Sequence, residues 1–146
     1  MSLLKHAHLN ALKRNLGQEE AQVLVEFVNT NLLRGYFYTR VPLCRGHVRI
    51  DVVCVLGEKP EYPVSVYGNL QNLRRRLLRL RGVSAWVIEI KKELNFEALG
   101  QILVDKYYFP KEYPDIRVEG YGILCEEEDE IIEIVCKYHG VQVFKV

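Results

Sequence analysis

Three residues of this 146-residue chain have types and spacing that could do chemistry together: Asp51, Glu89 and Lys91. Glu89 and Lys91 stand at the end of a nearly continuous apolar run, Val83-Ser84-Ala85-Trp86-Val87-Ile88-Glu89-Ile90. Both faces of that run are apolar, which predicts a central strand covered on each side. Glu89 and Lys91 are two apart, so on a strand they project to the same face. Charges there are costly unless paired or functional, and the ends of central strands are where open α/β sheets place their sites. Asp51 stands mid-strand in His47–Leu56, opposite the face expected for Val48, Ile50, Val52, Cys54 and Leu56. With the two strands as neighbours, Asp51 and Glu89 converge on one point. Two carboxylates there repel unless a cation sits between them, and oxygen ligands of this kind suit Mg²⁺ or Mn²⁺.

The elements that must position these residues follow from the pattern. Residues 1–16 mix Lys5, His6, His8, Lys13 and Arg14 with Leu and Ala, and predict an N-terminal arm or short helix. Gly17 separates it from a domain over residues 17–146. From Gln18 to about Leu33 an apolar stripe of Ala21, Leu24, Phe27, Val28 and Leu32 predicts a helix. Tyr36–Val41 reads as a strand, His47–Leu56 as the next and Val64–Tyr67 as a short third. Asn69 caps a helix running to about Arg81, with Leu70, Leu73, Leu77 and Leu80 on one face. After the central strand, Asn95 caps a helix through about Phe109. Phe96, Leu99, Ile102, Leu103 and Tyr107 form its expected buried side, and Pro110 its end. Ile116–Cys125 predicts a strand, Asp129–Tyr138 a helix and Val141–Val146 a last strand. Interleaved strands and helices define a single α/β domain.

Asp51, the Glu89-Ile90-Lys91 triplet and a following helix holding Ala98-Leu99-Gly100-Gln101 resemble the PD-(D/E)XK nuclease superfamily, also called the restriction-endonuclease-like fold. From about Gln18 to Val146 the order of elements is similar to that family's αβββαβ core, with the basic helix of about 69–81 inserted. The resemblance implies metal-dependent hydrolysis of phosphodiesters in DNA. It implies that Asp51 and Glu89 are carboxylate metal ligands, that the carbonyl of Ile90 is a third, and that Lys91 orients or activates the attacking water. Gln101 matches a polar position on the family's following helix. Glu20 matches a first-helix acid, with Glu19 as the nearby alternative. Ile50 stands where the family motif has Pro, and no signature of one branch is present, which leaves the substrate open. By analogy with the family, a homodimer is expected.

Composition bears on class and partner. At 49% apolar and 27% charged, the chain supports a hydrophobic core and does not read as disordered. No apolar run reaches the roughly 18–20 residues of a membrane span, and Met1–His6 lacks the apolar stretch of a signal peptide, so a cytoplasmic protein is expected. The net charge of +1 conceals an asymmetry, because Glu126, Glu127, Glu128, Asp129 and Glu130 hold five of the 19 acids in one run, read as a solvated turn or helix start. The helix of 69–81 carries Arg74, Arg75, Arg76, Arg79 and Arg81 and no acid, which predicts contact with DNA phosphates or an acidic partner. Cys44, Cys54, Cys125 and Cys136 form no CxxC. Cys44, His47, Cys136 and His139 could in principle supply a structural zinc, though not at standard finger spacing. The rival to a nuclease is a non-catalytic nucleic-acid-binding or assembly module on the same fold.

Overall fold

Alternating apolar strands and amphipathic helices build a six-stranded mixed sheet with helices on both faces. In the computed structural model, which describes residues 6–146, the elements are α1 (His6–Leu16), α2 (Gln18–Thr30), β1 (Gly35–Leu43), β2 (Val48–Leu56), β3 (Val64–Ser65) and α3 (Leu70–Leu78), then β4 (Val83–Ile90), α4 (Phe96–Glu112), β5 (Ile116–Cys125), α5 (Glu130–Tyr138) and β6 (Val141–Lys145). The strand order is β3-β1-β2-β4-β5-β6. The β1–β2 and β2–β4 pairs are antiparallel, and β4–β5, β5–β6 and β1–β3 are parallel. The protein is a single α/β domain, and no described helix is long and apolar enough to cross a membrane.

The sheet separates two cores. On one face α1 and α2 cover Phe37, Val52, Cys54, Ile88 and Ile90. On the other, α3, α4 and α5 cover Tyr38, Val53, Val87 and Ile123. As expected, β4 is central, and its side chains enter both cores. Gly120 leaves room on β5 for the Trp86 ring, since a Cβ there would lie 2.5 Å from it.

Five expectations need correction. Residues 6–16 form a helix that belongs to the domain, because Leu12 is fully buried in the α1/α2 core; Met1–Lys5 lie outside the described residues. Val48 and Ile50 do not share a face with Val52 and Cys54, since they pack into opposite cores. Alternation reverses where Arg40 of β1 adopts a left-handed φ of 56°, a kink that lies across from Asp51 in the β1–β2 register. Pro110 does not end α4, which continues to Glu112; the lost N–H falls in the last turns, and Tyr113 N–H still reaches Phe109 O at 2.9 Å. The buried stripe of α4 is also rotated. Ala98, Leu99, Ile102, Asp105 and Phe109 face inward, while Phe96 and Tyr107 are exposed. In α2, likewise, Asn31 in the left-handed region closes the helix at Thr30, and Leu32 is exposed.

Candidate functional site

The β2–β4 ladder ends at Val52↔Ile88, and the same register continued by one rung sets Asp51 opposite Glu89. At that rung the Asp51 side chain takes over from the backbone. The N–H of Ile90 donates to Asp51 Oδ2 at 2.9 Å, and Arg40 Nη1 lies 3.7 Å from Asp51 Oδ1. Ile90, whose carbonyl the family resemblance enlists, is thus held against Asp51 by its own backbone.

Glu89 faces the α4 side and is only 3% exposed. There it meets Asp105, at 1% exposure the most buried carboxyl described. Burial pushes the Glu89 carboxyl far above the usual carboxylate range, and hydrogen bonding to Asp105 and the charge of Asp51 push it further. Burial also lifts Asp105 from 3.8 to about 6; the Glu89 hydrogen bond opposes that rise and the charge of Asp51 adds to it. Both Asp105 oxygens lack a hydrogen-bond donor if every carboxyl is ionised. A proton retained on Glu89 supplies one, which is the direction its raised pKa requires.

These groups open onto a cleft of about 560 Å³ lined by His47, Arg49, Glu89, Glu97, Gln101 and Asp105, among others. Gln101 and Asp105 are one turn apart on α4 and so share its face. Lys91 reaches the same wall, with Nζ 3.1 Å from Glu97 Oε1. Fold and register therefore bring together Asp51, Glu89, Ile90, Lys91 and Gln101. Glu20 stands apart from this group. Its carboxylate folds back over Gly17, where a Cβ would lie 2.6 Å from Glu20 Oε2, and it is not among the groups acting on Glu89. Glu19 instead lies 3.8 Å from Lys92 Nζ.

Sequence reasoning missed Asp105, Arg40 and Arg49. Asp105 had a signal: it repeats with Ala98, Ile102 and Phe109 at helical spacing, an acid on an apolar stripe. Arg40 and Arg49 line a second cleft of about 690 Å³ together with His8, Arg14 and Asn15. Arg49 lines both clefts, so the basic one adjoins the carboxylates.

α3 ends at Leu78, with Arg79 as its cap, rather than near Arg81, and the arginines of α3 and of the segment after it are partly accounted for by the fold. Arg74 pairs with Glu112 at 3.3 Å, Arg81 with Asp115 at 3.2 Å, and Arg76 Nε donates to the Tyr38 hydroxyl at 3.3 Å. Acids absent from the helix itself thus arrive from the end of α4 and the loop beyond. Arg75 and Arg79 have no ion pair among the described residues.

A metal at the carboxylates requires oxygen donors that are short of partners, and both oxygens of Asp105, beside Glu89, meet that requirement. Among the described residues no three His, Cys, Asp or Glu side chains stand arranged as a finished metal cage. The cysteines and histidines considered for zinc form no such group either. The four thiols are free, and burial pushes Cys54 up to about 12 and Cys125 up to about 11, far from thiolate chemistry. Comparison with family models, curated proteins and solved structures yields no match.

Proposed function

We propose that this protein is a metal-dependent nuclease that hydrolyses phosphodiester bonds in DNA, on a restriction-endonuclease-like core. The observation that carries this reading is the Glu89 carboxyl, buried against Asp51 and Asp105 at the end of a central strand and at the wall of an open cleft. Buried like charges are expensive, and their retention calls for a cation or a proton to offset them. The run α2, β1, β2, β4, α4, β5, with three antiparallel strands followed by a parallel one, agrees with the order that the family resemblance implies.

Asp51 and Glu89, with the carbonyl of Ile90, are the residues that would hold Mg²⁺ or Mn²⁺. The bound ion would supply a Lewis acid and an acidified water. Asp51 is preset for the task, since Ile90 N–H fixes one oxygen and Arg40 balances the other. Lys91, at the rim beside Glu97, offsets charge developing on the phosphate. Gln101 lines the cleft within reach of the strand being cut. Arg14, Arg40 and Arg49 of the adjoining cleft hold the DNA backbone by charge, without reading sequence. Arg75 and Arg79 extend that basic surface.

A second reading is a non-catalytic DNA-binding module, favoured by the engagement of Asp51 with Arg40 and of Lys91 with Glu97. One experiment separates the two: incubation of plasmid and branched DNA with Mg²⁺, Mn²⁺ or EDTA. Cleavage with either metal and none with EDTA supports the nuclease. Salt-sensitive binding without cleavage at millimolar metal supports the module.

A further inference from the structure

Eight large apolar side chains are exposed among the described residues, and seven of them lie on α4 and α5. On α5 they form one stripe at i, i+3 and i+7: Ile131 at 72% exposure, Ile134 at 70% and Tyr138 at 85%. The opposite side of the same helix, Ile132 and Cys136, is already buried against the sheet. The stripe is therefore additional to what the fold requires, and apolar surface gathered in this way marks a contact site.

Charge identifies what covers it. The first turn of α5 carries Glu130 and Glu133 behind the acidic run, and its last turn carries Lys137. None of these three forms an ion pair among the described residues. The acidic end repels DNA and anionic lipid alike. A second copy laid antiparallel does the opposite, because it brings each acidic turn to the partner's Lys137; a parallel copy would set acid on acid.

We propose that α5 is the interface of a two-fold homodimer, packed antiparallel against the same helix of a second copy. Ile131 then covers the partner's Tyr138, the two Ile134 side chains meet near the axis, and Glu130 and Glu133 flank the partner's Lys137. The contact is self-complementary and closes at two copies. It is independent of the nuclease reading, because mass alone reports it.

The test is molar mass by light scattering and sedimentation over about 1–100 µM, with the full chain and no DNA. The parent should double its mass within this range. The double variant I134D/Y138E should remain monomeric, with the melting temperature of the parent at dilutions where the parent is monomeric, since both side chains are exposed in the single chain. Lys137→Glu should weaken the dimer at least tenfold, and adding Glu130→Lys and Glu133→Lys to it should restore self-association. Ile134→Cys should form a disulfide-linked dimer on oxidation. A parent that stays monomeric at 100 µM overturns the proposal. So does a dimer that the double variant leaves intact, which would assign the contact to another surface.

Discussion

Two charged regions of this molecule invite opposite first impressions. Five arginines between residues 74 and 81, with no acid among them, dominate the sequence pattern. In the fold three of them are engaged: Glu112 and Asp115 pair with Arg74 and Arg81, and Tyr38 accepts from Arg76. The carboxyls of Asp51, Glu89 and Asp105 are scattered singly along the chain and attract little notice. Brought together, they repel one another; Glu89 and Asp105 are buried, and both Asp105 oxygens lack a donor when every carboxyl is ionised. The density of charge in a sequence thus says less about a site than the cost the fold leaves unmet. Exposed arginines are cheap to carry and easily paired, whereas an unpaired buried carboxyl persists only where a proton or cation offsets it.

The sharpest way to break this comparison is to remove the carboxylates one at a time. Glu89→Gln and Asp51→Asn keep shape and lose charge. If the pair holds a catalytic cation, each should lower Mg²⁺-dependent cleavage by about 10³-fold or more, since Lewis-acid stabilisation is worth several kcal/mol. Lys91→Ala should also cut turnover strongly while metal affinity is kept or rises, because a neighbouring positive charge is gone. Gel assays under single-turnover conditions, with metal titrated, check all three. Undiminished cleavage in every variant would remove the site from this cleft.

The same carboxyls should govern stability in the absence of metal. Glu89 and Asp105 have folded-state pKa values above their ordinary 4.5 and 3.8. The native state therefore holds more protons than the unfolded chain above about pH 4, and stability is lost as pH rises, through about 6 for Asp105 and beyond neutrality for Glu89. Each proton involved contributes up to about 1.4 kcal/mol per pH unit. Melting of the metal-free protein between pH 5 and pH 8 should show a falling midpoint. Glu89→Gln should melt higher than the parent at pH 8 and lose most of that slope, since its amide keeps a donor toward Asp105 without having to hold a proton against rising pH. Added Mg²⁺ should stabilise the parent most at high pH, where protons compete least.

The local signals that survive folding explain what could be read in advance. Asn69 and Asn95 accept from backbone N–H at the helix starts they were expected to cap, and Asp129, expected as the first residue of its helix, is its cap. β4 spans Val83–Ile90 because an eight-residue apolar run has few other solutions. Asp51 and Glu89 were legible as neighbours because register follows once two strands pair. Asp105 was not, because reading α4 by hydrophobicity turned Phe96 and Tyr107 inward and the acid outward. Arg40 depends on a left-handed backbone that no local residue preference announces. Arg49 acquires its place only when α1 closes the basic cleft.

That difference between visible and engaged arginines can be measured directly. Replacing Arg14 and Arg49 by Gln should weaken DNA binding about tenfold or more and reduce the salt slope by nearly 2, if each contacts one phosphate. Replacing Arg74 and Arg81 should change the slope by much less, since each already faces a carboxylate. Arg75→Gln with Arg79→Gln should fall between the two. Fluorescence anisotropy over a range of salt concentrations ranks the three pairs. An inverted ranking would return α3 to the centre of the DNA-binding surface.

The smallest expected effect lies where the two regions come closest to sharing a logic, at Glu112. This carboxylate pairs with Arg74 at 3.3 Å and also accepts from the backbone N–H of Cys44 at 3.0 Å, tying the end of α4 to α3 and to the turn after β1. Its side chain is 16% exposed and that of Arg74 is 43% exposed, so the ion pair itself is partly screened. The hydrogen bond to Cys44 survives in a Gln, whereas the charge does not. Glu112→Gln should therefore cost only about 0.5–1 kcal/mol, and Glu112→Ala about 1–2 kcal/mol, because the Cys44 N–H also loses its acceptor. Urea denaturation of the two variants resolves the difference. Glu112→Gln should also free Arg74 and raise DNA affinity slightly at low salt, the reverse of what Glu89→Gln does to cleavage. A carboxylate whose removal is cheap and leaves catalysis unchanged is serving an arginine; one whose removal stabilises the metal-free fold and abolishes cleavage is serving a cation.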